Sequence, residues 1–179
     1  MEYTNIGELL RAELSLEEFP KAKELIAKLR GVGTRGYFTK AEFLWMCEWK
    51  SSRPRRHFQS NSGEEVERIS SKMFATADER ERMSLLKGLR GVRIPMASAI
   101  LMLTDPFHYG VIDQRVWRVL HKFGEVHSNP RGLGLSISNW LVYLSIICSL
   151  ASEFQVTPRD IDRTLFRHDK PDRHSNCHY

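Results

Sequence analysis

A chain of 179 residues, 41% hydrophobic and 27% charged, is long enough to bury one ordinary core and too short for two comfortable domains. Its formal net charge of +5 and isoelectric point near 9.2 favour polyanionic partners through the summed field. The N-terminal stretch carries acidic residues where a signal peptide wants basic ones, and no apolar run approaches membrane-spanning length, so no membrane partner is expected.

Two short amphipathic helices open the chain, one over Ile6 to Glu13 and one over Pro20 to Leu29, the second with proline in its first turn. Gly31-Val32-Gly33-Thr34-Arg35-Gly36 then reads as a flexible loop, either plain or, since Leu29-Arg30-Gly31-Val32 echoes Leu89-Arg90-Gly91-Val92, a second DNA-binding hairpin or a phosphate-cradling loop. Thr39 and Glu42 form a capping-box pattern that opens a helix through Phe43, Met46, Cys47 and Trp49. After it, Trp49 to Phe58 mixes Arg53, Arg55 and Arg56 with aromatics and Pro54. Arginines fork onto phosphates and aromatic faces stack on bases, so this stretch suits a nucleic-acid groove; a solvated basic loop is the competing reading.

Ser62 with Glu65 caps a helix through Val66, Ile69 and Met73, and Asp78 with Glu81 caps one carrying Met83, Leu86 and Leu89. Gly91 marks its end, and Pro95 suits the first turn of the next helix, where Ala97, Ser98 and Ala99 permit close backbone packing. Asp105-Pro106 and Tyr109-Gly110 stop that helix, and Val111-Ile112 is a short extended link into Asp113. Asp113 heads a helix with Val116, Trp117, Val119, Leu120 and Phe123 at apolar spacing.

Residues 125–138 read as a long loop, Asn139 to Phe154 as a core helix, and Thr157-Pro158-Arg159-Asp160 as the capped start of a last helix. Of the three cysteines, Cys47 and Cys148 fall in apolar helical stretches where a thiol packs as a small buried hydrophobe, which fits a reducing, cytoplasmic setting. The three histidines from His168 onward, with Cys177, match no tetrahedral zinc spacing, and no metal site is expected. No segment alternates long enough to demand a strand. The reading is an all-α single domain over 1–168, of about seven to nine helices, with residues 169–179 as a flexible tail.

Leu89-Arg90-Gly91-Val92, Ala97, and Ile112-Asp113 ahead of Arg115-Val116-Trp117 resemble the helix-hairpin-helix DNA glycosylase superfamily of base-excision repair, with the hairpin motif at 82–104. Two positions depart from the family pattern. The second hairpin glycine is Arg93, whose guanidinium either adds a phosphate contact or blocks close approach, and the position of the nucleophilic lysine of lyase-competent members is Pro95.

The resemblance implies a helix-hairpin-helix glycosylase-like fold and a monofunctional DNA N-glycosylase removing a damaged or mismatched base. The alternative is a non-enzymatic DNA-binding relative. Double-stranded DNA is the implied partner, met by Gly91, Val92 and Arg93 of the hairpin and by Arg53, Arg55, Arg56 and Arg115. Asp113 is the implied catalytic carboxylate, although aspartate at a helix start is also an excellent cap. Trp49, His108 and Tyr109 are the candidates for a pocket that receives the extruded base. Three scattered cysteines cannot build the iron-sulfur loop of some members, so no cofactor is expected beyond room for a monovalent cation at the hairpin. Without an amine at Pro95, efficient strand cleavage is not expected unless another lysine, such as Lys87 or Lys122, substitutes. A cytoplasmic location, nucleoid-associated if the source is bacterial, and a monomer complete the expectation.

Overall fold

The computed structural model describes residues 3–169, and among them regular structure is helical throughout, with no strand. The protein is all-α. The helices are α1 (Ile6–Glu13), α2 (Pro20–Leu29), α3 (Val32–Arg35), α4 (Lys40–Lys50), α5 (Arg55–Gln59), α6 (Gly63–Ala75), α7 (Glu79–Lys87), α8 (Ile94–Thr104), α9 (Gln114–Lys122), α10 (Ile137–Phe154) and α11 (Pro158–His168). Of the expected flexible tail, Asp169 is described and is held by Arg115 and Arg118, and the other tail expectations fall on residues outside the described ones.

Eleven helices among the described residues exceed the seven to nine expected, because two stretches that read as loops close into short turns. In α3, Gly36 takes a left-handed φ of 78° and its N–H reaches the Val32 carbonyl at 2.9 Å. In α5, Phe58 is wholly buried and stacks edge-on against Phe43, and that burial folds the basic segment against α4. Helix α10 starts at Ile137, earlier than the predicted Asn139. Ser136 caps the helix and Asn139 returns its side chain to Ser136, so Asn139 is the third residue of the helix and not the first.

The other starts follow their cap chemistry. Thr39 and Glu42 complete a reciprocal box, Ser62 accepts from Glu65 N–H, Asp78 accepts from Arg80 and Glu81 N–H, and Thr157 pairs with Asp160.

Helix α8 is the axis of the core. Ile94 and every residue from Met96 to Leu103 are buried, and α2, α4, α7 and α10 pack around it. A helix apolar on all sides demands such a central place. By length and hydropathy alone α10 also suffices to cross a membrane, but Trp140, Tyr143, Ile147, Leu150 and Ala151 bury one face of it against α7, α8 and α11. Cys47 is buried as expected. Cys148 is not: it lies exposed on the outer side of α10, since the helix buries the stripe through Tyr143, Ile147 and Leu150 instead.

Helix α11 closes the domain by packing on α9, α10 and α1. Its inner face carries two arginines as well as apolar groups. Arg159 donates to Glu18 at 2.7 and 2.9 Å and to Asp162 at 2.5 Å. Arg163 meets Glu18 at 3.2 Å, Asp160 at 2.5 Å and the Ser15 carbonyl at 2.6 Å. This network staples the link between α1 and α2 onto the last helix. Burial drives the Glu18 carboxyl upwards, but Arg159, the Phe19 N–H and Arg163 together outweigh it and hold the group below the ordinary carboxylate range.

Candidate carboxylate and nucleic-acid site

Asp113 occupies the cap position of α9 with extended backbone, φ −146° and ψ 178°. Its Oδ1 accepts from the Arg115 and Val116 N–H groups at 3.0 and 3.1 Å, which satisfies two orphan donors of the helix start. Its Oδ2 lies 3.1 Å from Lys50 Nζ, at the last residue of α4. The two side chains are only 11% and 13% exposed, so this is a largely desolvated ion pair. Sequence reasoning missed Lys50. The partners are separated by 63 residues, and neither the spacing nor the basic composition around residue 50 singles that lysine out.

A second carboxylate feels the charge of the first. Asp162 is 1% exposed and takes the Val111 N–H, the Tyr143 hydroxyl at 3.2 Å and Arg159. Burial raises its pKa; the Arg159 charge pulls it back, and the Asp113 charge raises it again. The Tyr143 phenol is pushed well above its ordinary value by burial and then by the charges of Asp162 and Asp113. The action of the Asp113 charge on both Asp162 and Tyr143 puts the two carboxylates in one electrostatic neighbourhood. Arg159 also lies 5.8 Å from the Trp49 ring, so Trp49 borders the same cluster.

Gly110 lets the link into Asp113 run this close to α10 and α11. A Cβ there would stand 2.6 Å from the Tyr143 hydroxyl, 2.8 Å from Asp162 Cβ and 2.9 Å from Ile147 Cδ1. None of these neighbours has room to retreat in a packed interior. Gly110→Ala is therefore expected to destabilise the domain by about 1–3 kcal/mol, the range of overpacking, with the loss read as a lower urea midpoint at unchanged slope.

The hairpin between α7 and α8 spans residues 88–93, with Gly91 at φ +86°. A Cβ on Gly91 would lie 2.8 Å from the Phe58 ring and 3.0 Å from His57 Cβ, so this glycine serves the packing of α5 onto the hairpin. Asn61, wholly buried, completes the joint: it accepts from Arg90 N–H at 2.7 Å and donates to the Arg90 carbonyl at 3.1 Å. Val92 is buried in the core. Arg93 is exposed at the cap position of α8, which has no side-chain cap. The joint packs His57 and Phe58 against Gly91, and Arg53, Arg55, Arg56, Arg90 and Arg93 are all exposed on the two segments it joins. Arg55 contacts Glu48 at 3.3 Å in a pair that is mostly solvated.

The remaining site candidates lie elsewhere. Tyr109 is 6% exposed, stacks on Trp140, and donates to Glu79 at 2.7 Å, with Arg82 on the same oxygen. Burial, then the Glu79 carboxylate, pushes that phenol far up. Tyr109 is thus a core residue between α7 and α10. His108 is exposed and pairs with Asp105 at 2.7 Å. The Arg115 guanidinium lies 3.8 Å from the Phe166 ring and donates to the Phe166 and Asp169 carbonyls, holding α9 to the end of α11. Lys87 is exposed at the end of α7, and Lys122 lies over the Phe123 ring at 5.6 Å. No cluster of three or more potential metal-ligating side chains occurs among the described residues. Comparison with protein-family models, with curated proteins and with solved structures finds no match for this chain.

Proposed function

We propose that this protein is a DNA N-glycosylase that removes a damaged or mismatched base, with Asp113 as its reacting carboxylate. The observation that carries the reading is the conjunction of a desolvated aspartate at a helix start with a basic surface assembled from two distant segments, α5 and the hairpin. Duplex DNA is the partner that such a surface fits. Arg53, Arg56, Arg90 and Arg93 meet phosphates irrespective of sequence, and the uncapped start of α8 adds its positive end.

Breaking the bond from sugar to base develops positive charge on the sugar. A carboxylate facing that carbon stabilises the charge or activates the water that replaces the base. Asp113 is preorganised for this task by the two N–H groups on Oδ1, which leave Oδ2 for the sugar once Lys50 turns aside. Trp49, beside Arg159 near the carboxylates, is the aromatic surface best sited to receive an extruded base. No amine comes from the hairpin, since Pro95 occupies the second position of α8.

A second reading, a DNA-binding protein without chemistry, draws on a specific observation: capping and the Lys50 pair already account for both oxygens of Asp113. Base release from a panel of damaged and mismatched duplexes separates the two readings.

The DNA interface itself is tested by replacing Arg53, Arg55 and Arg56 together with glutamate. Duplex affinity is expected to fall, and the dependence of log affinity on log salt to flatten by roughly 0.9 for each phosphate that the variant no longer neutralises. Unchanged binding by that triple variant, with an unchanged melt, would move the interface off α5.

A further inference from the structure

We propose that the groove between α2 and α4 is a stacking site for an unpaired DNA strand, so that the protein prefers a duplex with a single-stranded tail to a blunt one. The inference rests on the DNA reading for the duplex part alone and needs nothing from Asp113. Lys21, Leu25 and Lys28 of α2 face Trp45 and Trp49 of α4 across a groove of about 250 Å³. That is smaller than the roughly 300–1,000 Å³ of sites that enclose a drug-sized molecule, and it suits one planar base with the rest of its strand outside. Trp45 is 47% exposed, which leaves an indole face open to a base. Stacking of this kind tolerates any sequence, because every base has a π-face. Trp49, one turn on, is half-buried with the Arg159 guanidinium 5.8 Å from its ring, and it closes the groove with a second aromatic surface. Five residues separate Trp45 from Lys50, about 140° around a helix of 3.6 residues per turn, so the groove and the Lys50 pair with Asp113 lie on different sides of α4.

The outer wall of the groove is basic. Helix α2 and its C-cap expose Lys21, Lys23, Lys28 and Arg30 against a single carboxylate, Glu24, which Lys28 holds at 2.7 Å. Glu48, the other acid at the groove, is met by Arg55 of α5 at 3.3 Å. Both carboxylates thus have a counter-charge, and Lys21 stands at the groove to meet a phosphate. The contact of Arg55 with Glu48 also makes the groove continuous with the basic segment that is proposed to hold the duplex. A strand that separates from the duplex at α5 therefore runs onto α4 with cations along its path. An acidic peptide would use those cations and leave both indoles without a partner, whereas an unpaired strand uses the two together.

The test is binding of the full chain to a blunt duplex, to the same duplex with an oligo(dT) tail, and to oligo(dT) alone, with tryptophan fluorescence followed in parallel. The parent is expected to bind the tailed duplex roughly 5- to 150-fold more tightly than the blunt one, the range for one base stacked on an aromatic side chain, and to show quenched tryptophan emission with oligo(dT). Trp45→Ala, at a position open enough for the domain to fold without the indole, is expected to lose that preference and leave blunt-duplex affinity unchanged. Trp45→Phe keeps a ring and is expected to keep most of the preference. Lys21→Glu, exposed in the first turn of α2, is a second variant expected to weaken binding of the tail and of oligo(dT) but not of the blunt duplex. The proposal is overturned if the tail adds no affinity, if a folded Trp45→Ala protein keeps the preference, or if poly-glutamate displaces the tail as readily as oligo(dT) does. A protein that binds oligo(dT) through Trp45 but no blunt duplex retains this inference and loses the duplex surface on α5. One that binds the blunt duplex and gains nothing from the tail loses this inference alone.

Discussion

Asp113→Asn is expected to bind duplex DNA as the parent does and to release base about 10²–10³-fold more slowly, the scale found when one charge-stabilising group leaves a preorganised site. Asparagine still caps α9, because its amide oxygen can accept from the Arg115 and Val116 N–H groups that Asp113 serves now. Capping alone would make the substitution almost neutral for stability. The ion pair changes that expectation, since a neutral amide leaves the Lys50 ammonium largely buried without its counter-charge. A cost of about 1.5–3 kcal/mol is expected, in the range for hydrogen bonds to charged groups.

Asp113→Ala should lose the cap as well, for about 1 kcal/mol more. The double variant Lys50→Met with Asp113→Asn should recover much of the loss, and the cycle of single and double variants measures the coupling. Base-release rates across the duplex panel and denaturant titrations of each protein are the measurements. Full activity in a folded Asp113→Asn protein would leave Asp113 as a cap and nothing more.

The largest effect on stability is expected from Arg159→Met. The side chain fills much of the same space but leaves Asp162, 2% exposed in its side chain, without its counter-charge and Glu18 with Arg163 as its remaining cation. Removing one partner of a buried pair costs about 3–5 kcal/mol, against a total domain stability of about 5–15 kcal/mol. The melting temperature should fall by roughly 6–20 °C.

The pH dependence gives a second readout, and both carboxylates move it in one direction. In the parent, the Glu18 carboxyl is depressed, so its contribution is present above the unfolded pKa and is lost as pH falls through the folded one. Arg159→Met removes much of that depression. The Asp162 carboxyl is already raised by burial in the parent, and without Arg159 it rises further; a native state that holds the extra proton is favoured as pH falls. The difference between parent and variant should therefore shrink as pH falls, through Asp162 on the way down from about pH 7 and through Glu18 only below its ordinary value of 4.5, followed by denaturant midpoints from about pH 7 to about pH 3. A deficit that stays constant with pH would mean that Arg159 acts through packing on Trp49 rather than through charge.

Most helix starts are legible in the sequence because their causes are local. A capping side chain reaches N–H groups two or three residues away, so Thr39 with Glu42, Asp78, Asp113 and Thr157 with Asp160 declare themselves within one turn. The central place of α8 is local in the same sense, since a helix apolar on every side has to be enclosed. The short helices α3 and α5 carry no such signal and look like loops in the sequence; α5 forms because Phe58 finds a buried slot between Phe43 and Gly91.

The site itself belongs to the tertiary structure. Asp113 is readable as a helix cap, yet its partner Lys50 lies 63 residues away, the joint of Asn61 to Arg90 spans 29, and Glu18 meets Arg159 across 141. Tyr109 and Arg115, which stand beside Asp113 in sequence, turn away from Lys50 to Glu79 and to the end of α11. The sequence by itself determined an all-helical chain and the helix that Asp113 begins, because hydrophobic period and cap chemistry act over three or four residues. Which lysine faces that aspartate, and which arginines flank the hairpin, were decided only when α4, α5 and α11 packed, since a long-range pair depends on helix positions that no local pattern encodes.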